Sequence, residues 1–318
     1  MECVKGRVTV IVLSYRKMKG IYESLKSILS QDYSDIEVII SDDGSAEFPP
    51  HEAKIIKYIE THKKDNLSNY IINHLPVNQG TVKNVNSAIR LSSGEYIKLL
   101  AAEDILAYPE ALSDYVSHAS THPELLFFGK VCGITKDGKK VHELLSCESD
   151  YDLLKTYTAK DIHNRLMSRN FLPAPAGFIK KKAFEKYGLF DEDIRLIEDY
   201  SYWLKLSGAG EEFGFIDKVM IYYKATGVSS QGNYSRMFMD DLVKIYDKYI
   251  FPCDRRFGPL QGVYNFLKRE GLNFYIAKAG WKDYSLSKRL YVYHRYFPFF
   301  AYTKLQNISV DMKNQKLH

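Results

Sequence analysis

The 318-residue chain contains no run approaching the ~20 consecutive apolar residues that would cross a bilayer as a helix. Its start, Met1-Glu2-Cys3-Val4-Lys5-Gly6-Arg7, lacks a signal-peptide layout. Val8 to Leu13 is too short, and no small-residue cleavage site follows it. The expected location is the cytoplasm. Cysteine is scarce: Cys3, Cys132, Cys147 and Cys253 are widely spaced and fit neither a disulfide framework nor a zinc pattern. Reduced thiols are expected. The nine histidines show no two-histidine metal spacing, and none is given a catalytic role. No G-x-G-x-x-G follows the first apolar run and no Walker sequence occurs, which argues against a dinucleotide dehydrogenase and a P-loop NTPase. Internal repeats and low-complexity tracts are also missing.

What is present is ordinary globular material, 45% hydrophobic and 26% charged. The length allows two domains, or one large domain with an appendage. Charge is uneven along the chain. Residues 241–318 hold 14 Lys/Arg against 6 Asp/Glu, whereas residues 1–240 hold 30 against 33. The whole basic excess therefore lies in the last quarter, beside the aromatic stretch Tyr291-Val292-Tyr293-His294-Arg295-Tyr296-Phe297-Pro298-Phe299-Phe300. Such a segment suits either an anionic membrane surface or a helical subdomain with a basic solvated face. No nucleic-acid-binding motif accompanies it, so no nucleic-acid partner is expected.

Val8 to Leu13 is a near-continuous β-branched run, the mark of a strand buried on both faces. Further strands are expected at 35–40, 70–73, 96–100 and 125–131, with helices over 21–29, 53–62 and 80–91 between them. That alternation predicts an α/β fold with a mainly parallel central sheet. Beyond Gly129, Lys136-Asp137-Gly138-Lys139 reads as a hairpin turn and Asn170 to Gly177 as a Pro- and Ala-rich loop. Helices are expected at 181–187 and 198–206, and an extended segment at 213–224. The Gly/Ser-rich stretch from Ala225 to Asn233 reads as a mobile loop, and mostly helices are expected after it.

In an open α/β sheet, ligands bind outside the carboxyl ends of the strands. Three polar clusters fall there: Ser14-Tyr15-Arg16, Asp42-Asp43-Gly44-Ser45 and Ala102-Glu103-Asp104. An Asp-Asp-Gly turn alone means little, because turn chemistry favours those residues. Three clusters at three strand ends mean more. Glu103-Asp104 offers oxygen ligands for Mg²⁺ or Mn²⁺, which take one or two carboxylates plus substrate phosphates. An acidic helix N-cap is the alternative.

The order of these motifs resembles the inverting glycosyltransferases of family 2, bacterial surface-polysaccharide type, with the GT-A nucleotide-diphospho-sugar transferase fold. The matching residues run from Val8 to Tyr15, Lys26 to Tyr33, Glu37 to Ser45, Asn78-Gln79-Gly80, Gly94 to Ile97 with Ala102-Glu103-Asp104, and Glu198 to Trp203. The resemblance covers residues 6–230. It implies a GT-A catalytic domain over 1–233, split into a nucleotide-binding half (1–130) and an acceptor-side half (131–233). A helical, basic, aromatic extension over 234–318 follows.

By the same resemblance, Ser14, Tyr15, Asp42, Asp43, Lys83 and Ala102 bind the nucleotide. Glu103, with Asp104, holds the metal. Asp199 is the catalytic base, with Glu198 orienting a neighbour or the acceptor. Lys224 and a lid at Ser229-Ser230 close over the diphosphate. Two departures stand out. The usual Leu-Asp-x-Asp-Asp is Leu100-Ala101-Ala102-Glu103-Asp104 here, and the usual Ala-Arg-Asn is Asn84-Val85-Asn86.

The implied reaction is a hexosyltransferase-type, metal-assisted single displacement. One sugar moves from a nucleotide-diphosphate donor, a UDP-sugar first among them, to a hydroxyl of a glycan acceptor. That acceptor is expected to be a lipid-linked surface-polysaccharide intermediate, met through peripheral contact of 234–318 with the inner face of the cell membrane. Two other readings stay open: a catalytically degenerate GT-A binding or scaffold protein of a glycan-synthesis complex, and a nucleotidyltransferase. The latter usually carries a basic Gly-rich loop where Ser14 to Gly20 stands.

Overall fold

The computed structural model describes residues 3–134, 140–144, 148–224, 235–254, 258–279 and 285–297. The chain divides into two compact units, Met1–Ser230 and Gln231–His318.

The first unit is organised by its apolar runs. β1 (Val4–Ser14), β2 (Ile36–Asp42), β3 (Leu67–His74) and β4 (Gly94–Ala101) lie in the order β3-β2-β1-β4, all parallel. The intervening helices are α1 (Met18–Leu29), α2 (Pro49–His62) and α3 (Thr81–Leu91). Every residue of β2 is buried, as expected of a strand covered on both faces. α2 starts four residues earlier than its apolar spacing indicates, because proline at the first helical positions is pre-organised for the helix.

The chain continues through β5 (Ile105–Leu106), α4 (Ala111–Thr121), β6 (Leu126–Ile134), β7 (Lys140–Leu144), α5 (Glu148–Thr156) and α6 (Ala159–Ser168). Then come β8 (Gly177–Lys180), α7 (Lys181–Tyr187), α8 (Glu198–Gly208) and β9 (Phe213–Lys224). The sheet extends beyond β4 through β8, β6, β9 and β5, with β7 paired to β6. β8 runs antiparallel to both β4 and β6, while β6 and β9 are parallel. The sheet is thus mixed, and its all-parallel half carries the three polar clusters. The expected turn at Lys136–Lys139 lies outside the described residues. His163, which reads from sequence as a surface residue, is half-buried, with Nδ1 2.9 Å from Ser207 Oγ. Burial pushes its pKa down.

The second unit is helical: α9 (Arg236–Ile245) runs into a π-helical turn at Tyr246–Ile250, followed by α10 (Gln261–Ala279) and α11 (Leu286–Arg295). Ser235 and Ser285 cap α9 and α11 by accepting the backbone N–H three residues on. Phe274 and Ala277 of α10 bury with Val292 and Tyr296 at α11. No helix of the described residues is long and apolar enough to cross a membrane.

Candidate active site

Strand register gathers the three clusters. Ser14 pairs with Asp42, and Leu13 with Ala101, so the ends of β1, β2 and β4 share one edge of the sheet. Ser14 is buried, and its hydroxyl has no hydrogen-bond partner among the described residues. Tyr15 is exposed, with the Arg16 guanidinium 5.1 Å from its ring centroid. Asp42 is fully buried. It accepts from Ser45 N (2.7 Å) and Ser45 Oγ (2.8 Å) and lies 3.1 Å from His74 Nδ1.

Asp43 has a different role in the same turn. Its carboxylate accepts from Asn78 Nδ2 (2.8 Å), Gln79 N (2.7 Å) and Gly80 N (2.9 Å), and so pins the Asn78-Gln79-Gly80 loop. Asn78 Oδ1 in turn accepts from Arg195 (2.8 Å), and the Arg195 carbonyl accepts from Val82 N (3.1 Å). A continuous hydrogen-bonded path therefore joins the end of β2 to the segment entering α8. Two glycines make the path close enough. Gly44 has φ +72° and Gly80 φ +95°, a region costly for other residues. A Cβ at Gly44 would lie 2.4 Å from the Val77 carbonyl carbon, and one at Gly80 would lie 2.3 Å from Arg195 Cγ. The Asp-Asp-Gly-Ser and Asn-x-Gly motifs are thus two halves of one joint.

The third cluster is a tight turn and not a helix N-cap, since the two-residue β5 follows it. Glu103 and Arg16 are the non-glycine residues with positive φ among the described residues, at +91° and +55°. Both sit at strand ends of this edge. Such strain of about 1–3 kcal/mol persists where surrounding structure imposes it. Here Glu103 N donates to Gly20 O (3.2 Å) and lies 3.1 Å from Ser24 Oγ, both on α1. A Cβ on Gly20 would come within 2.4 Å of Glu103 Cγ. The Glu103 carboxylate meets Lys17 Nζ at 2.6 Å.

Asp104 is buried and faces inward. Its carboxylate accepts from Ala101 N at 3.2 Å and from the Lys224 backbone N–H. Burial pushes its pKa up to about 7. Beneath it, buried Lys98 donates to Pro175 O and Gly177 O, and burial pushes the ammonium down to about 7. Lys98 thereby ties β4 to the Pro173–Gly177 loop. Ala102 is buried, with its N–H on Leu13 O at 2.8 Å.

As a holder of Mg²⁺ or Mn²⁺, this turn offers Glu103 as a hard oxygen donor at the sheet edge, which fits an ion completed by substrate phosphates. Asp104, the second acid of the turn, is buried with its carboxylate accepting backbone N–H groups. Among the described residues, no cluster of three His, Cys, Asp or Glu side chains is gathered for a metal.

Glu198 and Asp199 occupy the first turn of α8 and are both half-buried. The helix N-terminus favours their ionised forms, but desolvation prevails. Burial, then the neighbouring Asp199, raises Glu198 to about 8, and burial raises Asp199. Asn170 Nδ2 donates to Asp199 Oδ2 at 2.9 Å and opposes that rise. Tyr202 and Trp203, one turn on, are buried among Phe184, Phe190 and Phe128, so they pack and do not stack on a sugar.

The remaining candidates are less engaged or lie elsewhere. Lys83 is exposed on the first turn of α3. Lys224 Nζ pairs with Glu23 of α1 at 2.5 Å. Ser229 and Ser230 lie outside the described residues. Asn84 and Asn86, which replace the motif's small residue and keep its asparagine, are buried. Asn84 bonds Ser41, and Asn86 bonds Phe190. Sequence reading missed Lys17, Asn170 and Arg195. A polar residue opening the Pro/Ala-rich loop was the signal for Asn170, but its partner is 29 residues away.

Comparison with known proteins follows this geometry. The profile of the family described as "Glycosyl transferase family 2" matches residues 9–188. An uncharacterized glycosyltransferase of Methanocaldococcus jannaschii is 25% identical over 249 residues, covering 77% of this chain and 79% of that one. One from Haemophilus influenzae is 22% identical over 282 residues, covering 86% and 75%. Among solved structures, S. aureus TarS 1-349 in complex with UDP-GlcNAc has a TM-score of 0.57 at 17% identity, covering 90% of this chain and 89% of that one. The mannosyltransferase PcManGT of Pyrobaculum calidifontis, in complex with GDP-Man and Mn²⁺, has a TM-score of 0.56 at 20% identity, covering 96% and 86%. These likenesses establish the fold as GT-A type.

Proposed function

The chain belongs to glycosyl transferase family 2, and from that premise we propose an inverting transferase that moves one sugar from a nucleoside-diphosphate donor to a glycan hydroxyl. Glycosyl transfer from a nucleotide sugar is the family's activity. The observation that carries the finer reading is the hydrogen-bonded path from Asp43 through Asn78 to Arg195. It ties the strand edge suited to a nucleotide to the Arg195 segment that enters α8, whose first turn carries the acid pair. The unpartnered Ser14 hydroxyl, buried at that edge, is a second support.

In this reading Ser14, Tyr15, Asp42, Asp43 and Ala102 form the nucleotide side. Asp43 acts by holding the loop. Glu103 would hold a divalent cation, Mn²⁺ or Mg²⁺, which supplies Lewis-acid neutralisation of the diphosphate when bound. Lys83 and Lys224 are the cations assigned to the leaving group. Asp199 takes the proton of the acceptor hydroxyl as its oxygen bonds to the anomeric carbon. The bond to the diphosphate oxygen breaks on the opposite face and its electron pair leaves with the nucleotide, so the centre inverts. Glu198, whose burial favours its protonated form, stands beside it. The acceptor is a lipid-linked polysaccharide intermediate met at the cytoplasmic face of the membrane. Neighbours in complex with UDP, UDP-GlcNAc and GDP-Man make uridine- and guanosine-diphosphate sugars the first donors to test.

The test is thermal unfolding with UDP, GDP, CDP or dTDP, each with and without Mn²⁺. A ligand confined to the native state adds ~2.7 kcal/mol at 100 times its Kd. One nucleotide should stabilise the protein, more so with Mn²⁺, and the Mn²⁺ increment should vanish in Glu103→Ala. No shift with any nucleotide overturns the reading. It would favour the degenerate scaffold that Ala101, in place of the family's Asp, already allows.

A further inference from the structure

Lys98 puts a cation where packing has no use for one. It lies within β4, opposite Phe178 of β8, and is fully buried. Among the described residues it forms no ion pair with a carboxylate. Asp104, in the turn after β4, acts on it through its field. The ammonium donates instead to Pro175 O and to Gly177 O (3.0 Å), and lies 5.2 Å from the centroid of the Tyr115 ring. Desolvating an ammonium is costly, and an apolar residue of like volume often serves a buried site as well or better. Stability alone is therefore a poor reason for this lysine, and the geometry it imposes is a better one.

That geometry belongs to residues 170–177. Tyr115 Oη of α4, also fully buried, donates to Ala176 O at 2.9 Å. Trp203 Nε1 of α8 donates to Leu172 O at 3.2 Å. Buried donors from β4, α4 and α8 thus hold the carbonyls of Leu172, Pro175, Ala176 and Gly177. Pro173 and Pro175 have no N–H, so carbonyls are the backbone handles they offer. At the other end of the loop, Leu172 N donates to Asn170 Oδ1 (3.3 Å), and Asn170 Nδ2 donates to Asp199 Oδ2 (2.9 Å). Asn170 is exposed. Water competes for its amide, so the bond to Asp199 depends on a loop that presents the amide in place.

We propose that Lys98 is a positioning residue for Asp199: its ammonium locks the loop over 170–177, and the locked loop holds the Asn170 amide against the Asp199 carboxylate. Trp203 ties the same loop to the helix that carries Asp199, so the carboxylate and its donor share one frame. The use of this frame in catalysis rests on the transferase reading. The linkage from Lys98 to Asp199 does not.

The experiment is carbon-13 NMR of the full chain labelled at its Asp and Glu side-chain carboxyls, followed against pH. The Asp199 signal is assigned by its loss in Asp199→Asn. Glu198, the other acid of that turn, is followed in the same spectra, because the two titrate together. Asn170→Ala should raise the Asp199 midpoint by about one pH unit. Lys98→Met should raise it by about half a unit or more, because the amide that favours the ionised form is less often in place. Lys98→Met/Asn170→Ala should move it no further than Asn170→Ala alone, as a shared path requires. A direct effect of the lost charge on Asp199 would add to the Asn170 effect instead. Should Lys98→Met misfold by circular dichroism, Tyr115→Phe removes the neighbouring anchor and should give a smaller shift of the same sign. The proposal is overturned by an unchanged Asp199 midpoint in folded Lys98→Met, by a shift fully additive with that of Asn170→Ala, or, where Lys98→Met does not fold, by an unchanged midpoint in Tyr115→Phe. In a separate turnover assay, Lys98→Met should lower kcat about tenfold and change the donor KM less than about twofold, the mark of a misplaced catalytic group. Absence of turnover in the wild type would count against the transferase reading and leave the NMR linkage standing.

Discussion

Among the described residues, the first unit leaves three large apolar side chains exposed, Tyr15, Val77 and Tyr157, whereas the much shorter second unit leaves eleven. The first unit is closed: a sheet flanked by helices buries its own apolar surface. Even its exceptions are informative, since Tyr15 follows β1 and Val77 abuts the Gly44 turn, both at the candidate site. The second unit is less closed: it buries Met239 and Ile245 of α9 and the Phe274–Ala277–Val292–Tyr296 seam, yet leaves those eleven side chains exposed. Chemistry in this molecule should therefore depend on the first unit.

The sharpest way to break that division is Asp199→Asn. It should lower kcat by about 10²–10⁴-fold, the usual worth of a general base, in a turnover assay with matched donor and acceptor. The unfolding midpoint should not change. Equal turnover in the variant would remove Asp199 as the base.

A smaller effect is expected of Asn170→Ala. Asp199 must be ionised to accept a proton, and burial already raises its pKa, so activity should climb with pH and level off once the acid pair has lost its catalytic proton. The Asn170 hydrogen bond favours the ionised form. Removing it should move the rising limb of the kcat/KM profile to higher pH by about one unit, consistent with ~1.5 kcal/mol for a bond to a charged group. A simple structural role would lower activity at every pH without moving the limb.

The smallest effect on chemistry is expected of Val292→Ala. Shortening this seam residue should destabilise α11 by about 1–2 kcal/mol, read as earlier loss of helical circular dichroism. Nucleotide-induced stabilisation of the first unit should stay as it is. Loss of that stabilisation would show that the units are energetically coupled.

β1 and β2 were readable because both their faces are largely buried, which leaves near-continuous β-branched or apolar runs such as Val8–Leu13 and Val38–Ile40. Strand ends could be found the same way, since polarity resumes where burial stops. What each polar residue touches could not. Asp42 and Asp43 are adjacent and chemically identical, yet one closes its own turn while the other holds a loop 35 to 37 residues away. Arg195 meets Asn78 across 117 residues. Asp104 reads as a metal ligand by type, and the backbone N–H groups that its buried carboxylate accepts are invisible in a sequence. The burial of Tyr202 and Trp203 is likewise decided by α7 and β6, not by their own spacing.

Glu103 has one further consequence. At φ +91° its backbone would be easier for glycine, while the carboxylate that the proposed reaction uses requires a side chain there. Under that reading Glu103→Gly should raise the unfolding temperature and lower turnover, so heat resistance and catalysis would pull in opposite directions at this one position.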